Sequence, residues 1–135
     1  MLPYNLDHVA IAVADLDDAL DGYARLYGVT PLYREVIEDQ AVEEAMIPLG
    51  GSYLQLLRPL APDTPVGRFL AARGEGLHHV AFAVVDIESA ITHLRDQGTH
   101  LVDETPRLGG GGRRIAFVHP KALASTLVEL VESPR

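Results

Sequence analysis

Two stretches of this chain, 71 residues apart, read almost alike: Leu6–Val13 (LDHVAIAV) and Leu77–Val84 (LHHVAFAV). His8 matches His79, Val9 Val80, Ala10 Ala81, Ala12 Ala83, Val13 Val84, Asp15 Asp86 and Ala19 Ala90, each at the offset 79 − 8 = 71. An internal duplication is the most economical account, and it requires the chain to fold as two equivalent modules.

Each copy opens with an apolar, β-branched strand. An aspartate follows at a helix-cap position, then apolar residues at helical spacing: Leu16, Ala19, Leu20, Tyr23 and Tyr27 in the first copy, Ile87, Ala90, Ile91 and Leu94 in the second. Gly28 and Gly98 stand where those helices would stop. Three strand-like segments follow in the first half, Pro31–Glu38, Ala41–Leu49 and Ser52–Arg58, punctuated by Asp39-Gln40 and Gly50-Gly51. The second half offers His100–Glu104, Arg113–His119 and Thr126–Glu132. Both halves therefore read βαβββ. They span about residues 4–58 and 76–133, joined by a proline-rich linker whose short helix starts at Asp63/Thr64, with Pro65 in its first turn, and ends near Gly74. The expectation is one α+β domain over residues 1–135, built of two mirrored modules with mixed sheets.

Composition narrows the chemistry. An apolar content of 47% in 135 residues suffices for a real core, and a net charge of −8 disfavours nucleic acid and anionic membranes as partners. With no cysteine, a metal site must be built from His, Asp, Glu, Gln or Asn. The N-terminus carries no basic stretch ahead of an apolar core, and no apolar run is long enough to span a bilayer, so a cytoplasmic protein is expected.

The duplication also points to a site, because equivalent positions of two related modules meet at the pseudo-twofold axis. His8 and His79 are one such pair. Gln55 in SYLQLL and Glu129 in TLVELV are another, each a lone polar residue in an apolar strand, which is costly unless paired or ligated. Any one of the four alone is more often an ordinary core or surface residue. Their joint placement on the first or last strand of each module favours a metal site. Two imidazoles, a carboxylate and an amide oxygen suit a divalent ion, Co2+ foremost, with Zn2+, Mn2+ and Ni2+ as alternatives, and they leave two octahedral positions open. His78 aligns with Asp7 and falls on the opposite strand face from His79, so it is not expected to be a ligand.

At these residues the chain resembles the vicinal oxygen chelate superfamily, and within it the methylmalonyl-CoA epimerase family. The resemblance is carried by LDHVAIAVADLDDAL, EEAMIPLGGSYLQLLRPL, GEGLHHVAFAVVDIESAI and GGGGRRIAFVHPK followed by LVEL. It implies paired βαβββ modules forming a cupped sheet around a central metal, held by His8, Gln55, His79 and Glu129. It implies epimerisation of an acyl-CoA at C2 through an enolate, with Glu44 as one catalytic acid/base and Glu129 as the other, and commonly a homodimer. Glu43 points to the opposite face from Glu44, so strand register decides between them. Arg113, Arg114 and Lys121 gather positive charge suited to a coenzyme A phosphate or a substrate carboxylate. Ser125-Thr126 stands where relatives commonly carry a glycine. A glyoxalase-like lyase of the same superfamily would use the same four positions, usually with Glu at 55, whereas a metal-free binding module would have no reason to keep all four.

Overall fold

The computed structural model describes residues 3–133, which divide into two compact units, residues 9–78 and residues 3–8 with 79–133. The boundary cuts both first strands, β1 (Asn5–Ala12) after His8 and β5 (Gly76–Val84) after His78. His8 therefore belongs to the same unit as His79 and Glu129.

The unit of residues 9–78 holds the end of β1, helix α1 (Leu16–Tyr27), strands β2 (Tyr33–Ile37), β3 (Val42–Leu49) and β4 (Ser52–Pro59), and helix α2 (Pro65–Arg73). Its strands hydrogen-bond in the order β2-β3-β4-β1. The Asp15 carboxylate accepts the Asp18 N–H at 3.0 Å to start α1, and Gly28 ends the helix at φ 68°, a left-handed conformation that glycine adopts without strain. The apolar stripe of α1 delivers Leu16, Ala19, Leu20 and Tyr23 onto Val13, Ala45, Ile47 and Leu56. Thr64 caps α2 with Pro65 in its first turn, as the linker sequence requires, and α2 lays Val66, Phe69 and Leu70 against Ala10, Ala12, Val42 and Leu57. Gly67 has no substitute there: a Cβ would lie 2.4 Å from the Pro62 carbonyl oxygen. Gly50-Gly51 closes a tight hairpin, fixing the β3–β4 register Leu49↔Ser52, Met46↔Gln55 and Glu44↔Leu57.

In the other unit, the start of β1 lies along β5, with the Tyr4 N–H donating to the Ala83 carbonyl at 3.1 Å. Strands β6 (Arg107–Leu108), β7 (Arg114–Val118) and β8 (Val128–Glu132) extend the order to β5-β8-β7-β6. β5 and β8 run parallel in the register Ala81↔Glu129, whereas β7 is antiparallel to both of its neighbours, so the sheet is mixed. Helix α3 (Ile87–Asp96), capped by Asp86, buries Ile87, Ala90 and Ile91 on Val84, Ala116 and Leu130.

One expected strand is absent. Residues 100–104 make only an isolated bridge, Leu101↔Val118, and the second strand of the second module is the two-residue β6 further on. The Asp103 carboxylate takes the Phe117 N–H at 2.8 Å, while the Val102 and Asp103 N–H groups share the Phe117 carbonyl at 3.0 and 3.2 Å. A side chain thus replaces a backbone acceptor, and the ladder stops there. The loop before β8 carries Ala124 and Ser125 at φ 55° and 51°, the region glycine favours, at the place where the family resemblance expects a glycine. Among the described residues, no helix is long and apolar enough to cross a membrane.

Candidate metal centre

Strand alternation places His8, Ala10 and Ala12 on one face of β1, and His79, Ala81 and Ala83 on the equivalent face of β5, all buried. The parallel β5–β8 register then brings Glu129 opposite Ala81, one alternation beyond His79. The result is a convergence of three ligand atoms. His8 Nε2 lies 3.0 Å from Glu129 Oε1, His79 Nε2 lies 3.4 Å from the same oxygen, and the two imidazole nitrogens are 3.3 Å apart. Two donors each about 2.1 Å from a common ion stand about 3.0 Å apart at a right angle and about 3.4 Å apart at the tetrahedral angle. The three observed edges fall within that interval, so the residues present fit a divalent metal. The edge of the Phe117 ring closes over His79, with centroids 5.2 Å apart, and Phe117 packs with Ala81, Ile115 and Val131 into an apolar wall.

His8 is held from behind. Its Nδ1–H donates to Asp7 Oδ2 at 2.7 Å, and Asp7 receives both terminal nitrogens of Arg113 at 2.6 and 2.9 Å. Burial by itself would lift the Asp7 pKa, but the hydrogen bonds from His8 and Arg113 and the guanidinium charge hold it well below the usual carboxylate range. Burial likewise opposes the charged form of His8, yet hydrogen bonds to Asp7 and Glu129 raise it to about 9. Burial pushes Glu129 upward, and the two histidines bring it down to about 2. The metal-free cluster is therefore an ion pair whose proton occupies the ligand position.

A second polar cluster lies in the unit of residues 9–78. Glu44 on β3 is fully buried, and the Gln55 amide on β4, its diagonal neighbour on the same face, donates Nε2–H to Glu44 Oε1 at 2.6 Å. Gln55 Oε1 is buried with no hydrogen-bond partner among the described residues, an arrangement that suits an amide oxygen reserved for a cation. Glu43 faces the other way, toward Arg34 and Arg58 at 3.2 Å each.

The structure brings His8, His79 and Glu129 together and sets Glu44 beside Gln55. It does not group the three basic candidates. Arg113 is engaged by Asp7; Arg114 pairs with Glu132 at 2.9 Å and Glu88 at 3.5 Å; Lys121 is exposed on the short turn Pro120–Ala122. His78 stacks edge-on against Phe69 at 4.8 Å, away from the ligand atoms. The sequence reading missed Asp7, whose signal, a carboxylate next to a ligand histidine, is visible only once the alternation rule is relaxed.

Residues 7–117 match the family model of the glyoxalase/bleomycin resistance protein/dioxygenase superfamily. The ethylmalonyl-CoA/methylmalonyl-CoA epimerase of Cereibacter sphaeroides is 34% identical over 127 residues, covering 93% of this chain and 95% of that protein. A single-site variant of Streptomyces coelicolor methylmalonyl-CoA epimerase in complex with 2-nitronate-propionyl-CoA superposes with a TM-score of 0.93 at 42% identity, covering 96% of this chain and 94% of that one. A methylmalonyl-CoA epimerase in complex with methylmalonyl-CoA and NH4+ gives 0.92 at 42% identity, covering 95% and 93%. With similarity of this extent and a duplicated fold whose strands present two histidines and a glutamate at the equivalent places, the chain belongs to the glyoxalase/bleomycin resistance protein/dioxygenase superfamily and, within it, to the methylmalonyl-CoA epimerases.

Proposed function

We propose that the protein interconverts (2R)- and (2S)-methylmalonyl-CoA with the aid of a divalent metal held by His8, His79, Glu129 and Gln55. The observation that carries this reading is the buried His8–His79–Glu129 convergence, in a chain similar over nearly its whole described length to proteins named methylmalonyl-CoA epimerases. A bound divalent ion would supply Lewis-acid stabilisation of negative charge developing on the thioester and carboxylate oxygens.

The chain's own residues supply the rest. Glu44 is the group assigned to take the C2 proton: Gln55 holds its carboxylate in place, and its burial favours proton transfer over exchange with solvent. Inversion also requires a proton to be returned on the opposite face. Glu129 was the sequence candidate for that step, but hydrogen bonds that keep it ionised down to about pH 2 suit a ligand better than a proton carrier. Lys121, with Arg114, is assigned to the anionic groups of the acyl-CoA. Co2+ as the ion, a homodimer and a cytoplasmic site of action complete the proposal.

The test follows C2 of (2S)- and (2R)-methylmalonyl-CoA in deuterated water by mass spectrometry, with Co2+, Mn2+, Zn2+ or Ni2+ added. Solvent deuterium should enter from either epimer, with conversion to the other. Absence of exchange with every metal would overturn the reading.

A further inference from the structure

Asp7 stands on the strand face opposite His8 by simple alternation, yet its carboxylate is buried and caps the His8 ring at Nδ1. Its equivalent in the second copy, position 78, is a histidine packed on Phe69, so the duplication does not explain an acid here. A buried carboxylate is costly unless fully engaged, and Asp7 is engaged on both sides: by the imidazole, and by a two-pronged contact from Arg113, 106 residues away in sequence. Arg113 is delivered by the glycine run. Gly109 N–H donates to the Arg113 carbonyl at 2.8 Å, and the turn uses φ of 68° and 71° at Gly111 and Gly112, a path that side-chain-bearing residues rarely take. The run therefore does more than link β6 to β7. It sets a guanidinium over Asp7.

An imidazole can present either nitrogen, and its tautomer decides which one carries the lone pair. With Asp7 ionised and bound at Nδ1, the proton stays on Nδ1, and in the neutral ring Nε2 keeps a lone pair aimed at the point where His79 Nε2 and Glu129 Oε1 converge. We infer that Asp7 and Arg113 are positioning residues of the metal centre, forming an Arg113–Asp7–His8 relay that fixes the His8 tautomer and ring and so sets metal affinity. This rests on the metal reading above, and it gives Arg113 a role other than contact with substrate.

The experiment titrates chelator-treated full-length protein with Co2+ and reads affinity from the visible absorption band of the bound ion, for the parent chain, D7N, R113M and R113K. Compared at pH 9 or above, where a proton no longer competes for His8, D7N should bind Co2+ about 10- to 100-fold more weakly, R113M more weakly than the parent, and R113K between R113M and the parent. At saturating Co2+, D7N and R113M should keep the parent's KM for methylmalonyl-CoA, a result that loss of a substrate contact would not give. Should D7N not fold, R113M and R113K carry the test, because the Arg113 side chain is 28% exposed. Parent-like Co2+ affinity in the variants, with a raised KM in R113M, would overturn the relay while leaving the metal reading intact. A parent chain that binds no Co2+ would overturn both.

Discussion

Metal uptake by this protein should release a proton, and His8 should be its source. In the metal-free state His8 is raised from 6.5 to about 9, with Asp7 on Nδ1 and Glu129 on Nε2, so at pH 7 the ring is a cation and its Nε2 proton fills the ligand position. A metal must displace that proton. Two pH units below the His8 pKa, displacement weakens apparent affinity by roughly 100-fold, or about 3 kcal/mol at 1.36 kcal/mol per unit. Affinity should therefore rise about tenfold per pH unit from about 6 to 8 and level off near 9. The same shift makes stability depend on pH differently in the two states. A folded pKa above the unfolded value stabilises the metal-free protein by up to about 3 kcal/mol below pH 6.5, a contribution lost as pH rises from 6.5 through 9. In the metal-loaded protein the two effects offset each other over that window: RT ln(1 + [M]/Kd) grows as fast as the metal-free contribution falls, so its stability should stay nearly level. Calorimetric titration with Co2+ in two buffers of different ionisation enthalpy counts the protons released, and thermal melts with and without the ion follow stability. An affinity flat between pH 6 and 8, with no proton released, would refute the reasoning.

Replacing Glu44 by Gln should lower C2 exchange by about 10^2- to 10^4-fold while Co2+ affinity stays near that of the parent; full turnover in E44Q would remove Glu44 as the base. His79→Ala should lose Co2+ and exchange together, whereas His78→Ala, whose ring packs on Phe69, should keep both, as read by metal titration and turnover. Gln55→Glu would replace the amide donor that bonds Glu44 at 2.6 Å by an acceptor, so exchange should fall by about tenfold or more while Co2+ binding persists. Unchanged exchange in Q55E would show that the bond from Gln55 does not position Glu44.

The fold was legible wherever local chemistry decides it. Asp15, Asp86 and Thr64 cap their helices, Gly28 ends α1 and Gly50-Gly51 closes its hairpin, each decided within a few residues of sequence. Residues 100–104 were misread because their fate depends on Asp103 capturing the Phe117 N–H across 14 residues, a competition between side chain and backbone that propensity does not register. The convergence of His8, His79 and Glu129 was legible through the duplication, which supplies long-range information that a single window lacks. Asp7 and Arg113 were not, because their contact spans 106 residues and joins a strand to a loop with no counterpart in the repeat.

The duplication supplies a nearly symmetric frame, and the chemistry depends on where the two copies differ. Position 55 holds an amide where position 129 holds a carboxylate, and the difference bears on both roles proposed for position 55. In the proposed ligand set, two imidazoles, one carboxylate and one amide would leave a divalent ion with one net positive charge, whereas a second carboxylate would cancel it and weaken its pull on an enolate oxygen. The amide also has a donor to spend. Its Nε2–H goes to Glu44 at 2.6 Å, a bond that an ionised carboxylate at 55 could not make. Under the proposed function, one Gln-for-Glu difference between the copies would preserve charge for the metal, and it gives the buried Glu44 carboxylate a donor. Position 7 against position 78 shows the same pattern, an acid behind His8 where the other copy has a packed ring, so both of these departures from the repeat fall on groups to which the proposed reaction assigns a separate role.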